Sequence, residues 1–230
     1  MNAWELLDSE EIAMPHGAAA GPSVMALMRR GHEYVIRVDG RELMSNSAHA
    51  SEEALAELAC ARLRGRAGAR VLVGGLGMGF TLAAALGALG EGDRVVVAEL
   101  VPAVVRWNRG PLGPLAGSPL ADPRAEVRVC DVAELMRSPE LPWSAILLDV
   151  DNGPSGLTRF TNNWLYTPAG LDAAHAALEP GGVLGVWSAF PDDGFTRRMR
   201  RAGFETEIVD VRSRGRKGGR RHFLWLGEAR

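Results

Sequence analysis

Residues 71–99 read VLVGGLGMGFTLAAALGALGEGDRVVVAE, and the order of residue types in this stretch decides the fold. Three apolar residues, Val71, Leu72 and Val73, lead into alternating glycines at Gly75, Gly77 and Gly79. An amphipathic segment follows, and a second apolar run, Val95–Ala98, closes on the acid Glu99. Glycines permit positive φ and close backbone approach, so a strand-to-helix turn made of them can lie against a ligand. The helix that begins there points unpaired N–H groups and a positive dipole end at that ligand. Glu99 lies 20 residues after Gly79, where an acid at the tip of the second strand accepts both hydroxyls of a ribose. The pattern is that of a nucleoside site; the alternative is glycines that serve helix–strand packing alone.

The type of nucleoside ligand is narrowed by what is missing. The dinucleotide fingerprint G-x-G-x-x-G needs glycine at 80, where Phe80 stands, and no G-K-[ST] marks a P-loop. What remains is G-x-G-x-G, seen when the ligand is S-adenosylmethionine and no pyrophosphate must be cradled.

With 230 residues, 47% hydrophobic and 23% charged, the chain has the composition of a soluble globular protein with one sizeable core. Its net charge of −2 gives no global attraction to nucleic acid or to a membrane surface. Cys60 and Cys130 lack metal-type or redox-type spacing and read as free thiols in a reducing compartment. The acidic start MNAWELLDSEE has no apolar core of a signal peptide. No apolar run nears the ~20 residues that span a bilayer. The expected location is therefore cytoplasmic.

Along the chain, residues 1–30 read as an irregular lead-in, with Pro15, Gly17, Gly21 and Pro22. From Tyr34 to Ser45, alternation around Asp39-Gly40 predicts a β-hairpin. Ser51, followed by Glu52 and Glu53, is expected to cap a helix. After residue 70, strand-like and helix-like segments alternate to the end, which implies a doubly wound, mostly parallel sheet. Its last two strands are joined by a short polar segment, so the final strand is expected to run antiparallel. The expected division is a lead-in and hairpin over 1–50 and a Rossmann-like domain over 51–230. The basic run RSRGRKGGRR, Arg212–Arg221, lacks interleaved aromatics and reads as a solvated hairpin loop rather than a nucleic-acid patch.

In such sheets ligands sit beyond the carboxyl ends of the strands. Asp131 follows the strand EVRVC and is placed either to accept an adenine amine or to cap the short helix after it. Asp149 ends the apolar run Ile146–Leu148. A carboxylate there needs a partner, because burying it unpaired costs several kcal/mol; a sulfonium or an amine would serve. Asp151 and Asn152 add polar groups at the same rim, with an Asx-turn network as the alternative. Farther on, Trp164 and Tyr166, beside Asn162 and Asn163, suit either a small polar or cationic substrate or plain packing. No histidine spacing makes a metal site; His49 alone lies near the hairpin-to-helix junction and is a candidate base.

Taken together, YVIRVDGRELMS (34–45), VLVGGLGMGF (71–80), VVVAEL (95–100), VRVCDV (127–132), ILLDVDNGP (146–154), LYTPAGL (165–171) and LEPGGVLGVWS (178–188) resemble the spermidine synthase family. That family lies within the class I S-adenosylmethionine-dependent methyltransferase fold. The resemblance implies a seven-stranded sheet behind a small β-hairpin. It implies that Gly75, Gly77 and Gly79 hold the methionine part of the cofactor, Glu99 the ribose and Asp131 the adenine, with Met78, Leu100 and Val132 also among the cofactor-binding residues. It places Asp149 against the reacting amine, and by analogy suggests a dimer surface. Three departures stand out. Met78 replaces the acid of the family's GGGDGG turn, Asp149-Val150-Asp151-Asn152-Gly153-Pro154 departs from D-[ST]-x-D-P-x-G-P, and Ser51-Glu52-Glu53 replaces Tyr-His-Glu.

Because the groups that grip a diamine and a decarboxylated cofactor are altered, the simplest expectation is methyl transfer from S-adenosylmethionine to a small polar or amine-bearing acceptor. Asp149 would orient or deprotonate the nucleophile. An aminopropyltransferase using decarboxylated S-adenosylmethionine is the alternative, and a non-catalytic nucleoside-binding protein a third. A cation or free N–H groups placed for the cofactor's carboxylate would favour methyl transfer.

Overall fold

The computed structural model describes residues 3–12, 22–150 and 162–230. A four-stranded antiparallel sheet comes first: β1 (Glu5–Ile12), β2 (Ser23–Arg30), β3 (Glu33–Val38) and β4 (Arg41–Ser45), in that spatial order. The β3–β4 hairpin turns on Asp39 and Gly40, both at positive φ (50° and 76°), as a two-residue Asp-Gly turn requires. Asp39 also ties the hairpin to β2, its Oδ1 accepting from Val24 N at 2.9 Å.

The irregular lead-in expected over residues 1–30 is corrected here, because β1 and β2 occupy much of it. In β2 the inward residues Met25 and Leu27 alternate with the exposed Val24. The apolar Ala26 and Met28 between them hide the period-two signal in the sequence.

A seven-stranded sheet forms the main body. Its strands are β5 (Arg70–Gly74), β6 (Arg94–Glu99), β7 (Ala125–Val129), β8 (Trp143–Leu148), β9 (Leu178–Ser188), β10 (Phe204–Arg212) and β11 (Arg221–Ala229), ordered β10-β11-β9-β8-β5-β6-β7. The final strand runs antiparallel to both neighbours, β9 and β10, and lies between them, as anticipated. The basic run forms the exposed connection of that β10–β11 hairpin.

Buried parallel strands are apolar on both faces, and β8, WSAILL, is buried at every residue. Its alternate side chains feed two cores. Val71, Val97, Ala145 and Leu147 pack toward α1 (Ala50–Ala61), α2 (Phe80–Ala88) and α3 (Pro102–Arg109). Leu72, Val96, Ile146 and Leu148 pack toward α4 (Val132–Arg137), α5 (Pro168–Ala177) and α6 (Asp193–Arg201). The small sheet joins the first core through Met25, Leu27 and Ile36. It is also latched to α3: Trp107 Nε1 donates to Asp8 Oδ2 at 2.7 Å, and Arg106 pairs with Glu10 at 2.7 Å.

Ser51 does not cap α1. His49 occupies the cap position, and Ser51 sits in the first turn with its side chain turned inward. Its Oγ accepts from Trp187 Nε1 at 3.1 Å and lies 2.8 Å from His222 Nδ1. Packing of α1 on β9 and β11 thus claims the hydroxyl that a solvent-exposed helix start would have used.

Candidate active site

The sheet reverses its winding between β5 and β8, and there the carboxyl ends of four strands converge. The turn after β5 is tight, with Gly79 N donating to Leu76 O at 2.8 Å. Gly75 has φ +85°, and a Cβ there would lie 2.7 Å from the Asp149 carbonyl oxygen. Only glycine lets this turn pass the tip of β8. At Gly77 (φ +52°) a Cβ would press on Met44 Sδ at 3.3 Å, closing the gap between turn and small sheet. Asn108 of α3 holds the turn by donating to Gly77 O at 2.8 Å.

Glu99, at the tip of β6, is buried. Its Oε2 accepts from Leu76 N at 3.0 Å and its Oε1 from Val101 N at 2.8 Å. Burial pushes its pKa up, and these backbone donors oppose the rise. The carboxylate therefore fastens the glycine turn to β6 while also lining the cavity beside it. Asp131, beyond β7, caps α4, accepting from Ala133 N at 2.8 Å, and lines the same cavity.

This first cavity, about 120 Å³, has Gly75 and Gly77 at its floor and Glu99, Leu100, Asp131 and Val132 along its walls. Met25 and Ile36 of the small sheet close it from above. A second cavity of about 80 Å³ adjoins it, the two sharing Leu43, Met44, Gly77 and Asp149. The second is lined further by Glu52, Met78, Phe80, Thr81 and Trp187.

Asp149 stands between the cavities. Thr81 Oγ1, in the first turn of α2, donates to its Oδ2 at 2.5 Å. Burial raises the Asp149 pKa to about 6, against the pull of that hydrogen bond. Across the second cavity, Glu52 of α1 has its pKa raised well above the usual carboxylate range. Burial is the main cause, followed by the charges of Asp149 and Glu53. Two carboxylates so placed resist simultaneous ionisation unless a cation lies between them.

Seven of the residues singled out in the sequence thus meet at one cavity: Gly75, Gly77, Glu99, Leu100, Asp131, Val132 and Asp149. Met78 lines the second. Gly79 packs toward Asn108 and Pro119 and lines neither. His49 lies one layer out, stacked on Phe80 with ring centroids 4.1 Å apart and its Nδ1 2.9 Å from Glu53 Oε1. Trp164 lies under the Arg137 guanidinium at 3.8 Å. Tyr166 is buried, donating to Val150 O at 3.1 Å and meeting Phe195 edge-on. These three positions line neither cavity, so the packing alternative describes the two aromatics. Asp151 and Asn152 lie outside the described residues. Sequence reasoning gave no site role to Glu52, Thr81 or Trp187; Thr81 had a signal in following directly on the glycine turn, and Glu52 in standing within the stretch that replaces the family's Tyr-His-Glu.

Solved structures carry the same architecture. Spermidine synthase from Thermotoga maritima superposes with a TM-score of 0.73 at 19% identity, covering 98% of this chain and 73% of that one. A spermidine synthase in complex with the transition state analogue AdoDATO gives 0.72 at 19% identity, covering 98% and 72%. The chain has the spermidine synthase fold. A probable spermidine synthase from Corynebacterium glutamicum ATCC 13032 extends the likeness, with a TM-score of 0.63 at 17% identity and coverage of 94% and 80%. By sequence, neither a protein-family model nor a curated protein matches the chain. On the spermidine synthase fold, then, this chain sets two adjoining cavities around Asp149, with Glu52 on the far wall of the second.

Proposed function

We propose that the chain is an aminopropyltransferase of the spermidine synthase type, using decarboxylated S-adenosylmethionine and an amine acceptor. The observation that carries this is the charge of the site. Among the described residues, the charged side chains lining the two cavities are Glu52, Glu99, Asp131 and Asp149, with no lysine, arginine or histidine. The backbone N–H groups of Leu76 and Val101 are already taken by Glu99. A ligand bearing a carboxylate would be desolvated among four acids, with no cationic side chain among the described lining residues to pair it; a ligand with ammonium and sulfonium charges and no carboxylate suits the same walls. The simplest sequence expectation, methyl transfer from the intact cofactor, has no support in this geometry or in the solved structures that share the fold. One of those structures holds a transition state analogue, AdoDATO.

The glycine floor and the Glu99 and Asp131 walls fit an adenosine group approaching the backbone closely. A bound sulfonium supplies an electrophilic carbon and a neutral thioether leaving group. The acceptor nitrogen forms the new C–N bond as the C–S bond breaks, its electron pair passing to sulfur. Asp149, with a pKa near 6, accepts the proton lost by the nitrogen, which suits a base working near neutrality. The apolar walls Leu43 and Met44 exclude water and hold the reacting atoms in line.

Calorimetry with decarboxylated and intact S-adenosylmethionine tests the reading. The decarboxylated form is expected to bind at least tenfold more tightly and, with 1,4-diaminobutane, to yield methylthioadenosine. Equal or tighter binding of the intact form would overturn it.

A further inference from the structure

Glu52 reads in the sequence as an ordinary acid in the first turn of a helix, favourable to the dipole. In the fold it has another setting. Glu52 is half-buried and lines the second cavity, where desolvation is the main cause of its raised pKa. Among the described residues no donor makes a hydrogen bond to it. A carboxylate drawn partly out of water without donors is unfavourable, and a ligand cation relieves it. The neighbouring charged groups make the need greater: Asp149 faces it from the tip of β8, and Glu53 lies beside it on α1. The α2 helix, FTLAAALGA, brings no charge to this wall. On β11, His222 is turned to Ser51, and burial lowers its pKa toward the neutral form.

The walls around Glu52 are specific in kind. Phe80 and Trp187 present aromatic surface, which favours an organic cation. Met78 is buried and uncharged on the glycine-turn side, so Glu52 and Asp149 are the charged side chains lining this cavity among the described residues. Because the cavities join at Gly77 and Asp149, a short arm borne by the ligand of the first cavity extends into the second. We infer that Glu52 determines which form of the cofactor is accepted, attracting the ammonium end of the transferred arm and repelling a carboxylate on it. This rests on the proposed aminopropyl transfer and names the residue that selects for it.

The test is Glu52→Gln, which keeps the shape and removes the charge. Decarboxylated S-adenosylmethionine, the intact form and methylthioadenosine are each titrated by calorimetry into wild type and variant. Methylthioadenosine lacks the arm and reports whether the first cavity is intact. The expected result is a fall of at least tenfold in the preference for the decarboxylated over the intact form, with methylthioadenosine affinity within twofold of wild type. An unchanged preference, or a parallel loss of all three affinities, overturns the role of Glu52 and leaves the aminopropyl reading standing. A wild type that does not prefer the decarboxylated form overturns both.

Discussion

The Thr81 hydroxyl donates to Asp149 Oδ2 at 2.5 Å, joining the helix that leaves the glycine turn to the tip of the central strand. Burial favours the protonated carboxyl, and this donor favours the ionised one. Thr81→Val is expected to move the Asp149 pKa further up, so the acidic limb of the kcat/KM profile shifts to higher pH. A pH–rate profile that does not move would separate Thr81 from the titration.

Asp149→Asn keeps the side chain's shape and removes the base. Turnover is expected to fall by roughly 10²–10⁴, the usual range for a general base, while methylthioadenosine still binds. Steady-state assays and calorimetry on the same preparation check both halves.

Stability should carry the mark of the acid pair. Asp149 has a folded pKa of about 6 against an ordinary value of 3.8, and Glu52 is raised in the same sense. Between those limits the folded state binds more protons than the unfolded, so unfolding free energy declines as pH rises. The contribution is whole below the unfolded pKa and is lost on passing through about 6. Thermal unfolding of the unliganded protein at pH 5 and pH 8 is expected to show this loss, and Glu52→Gln/Asp149→Asn to reduce it. An equal loss in the double variant would place its origin elsewhere.

Glu99→Ala removes the acceptor for Leu76 N and Val101 N. Each buried donor left unpaired costs about 1–3 kcal/mol. The expected outcome is a lower denaturant midpoint together with weaker methylthioadenosine binding, since one carboxylate serves turn and cavity. Retained affinity would confine Glu99 to a structural part.

The doubly wound body was legible because its signals are local: apolar runs of strand length, glycines at the turn and acids at strand tips. The first two strands were not. In β1, ELLDSEEI, clustered acids mask the alternation, and its partner β2 carries apolar residues on both faces. At the site, Asp131, Glu99 and Asp149 could be found because strand ends are predictable in this topology. Glu52 was visible only as part of a departure from the family's Tyr-His-Glu, since nothing local distinguishes a helix acid facing water from one lining a cavity with Asp149. For Trp164 and Tyr166 the sequence left substrate contact and packing open for a related reason: aromatic character is visible in a sequence, and the direction a ring faces is set by α4 and α6 packing on it.

The latch between Asp8 and Trp107, with Glu10 on Arg106, makes the roof of the first cavity a borrowed surface. Met25 and Ile36 reach the ligand space only while the first strands stay docked on α3. A protease that clips near the start of the chain should therefore be slowed by methylthioadenosine, although β1 lines neither cavity. Occupancy would be recorded in the digestion rate of a part of the molecule remote from the chemistry.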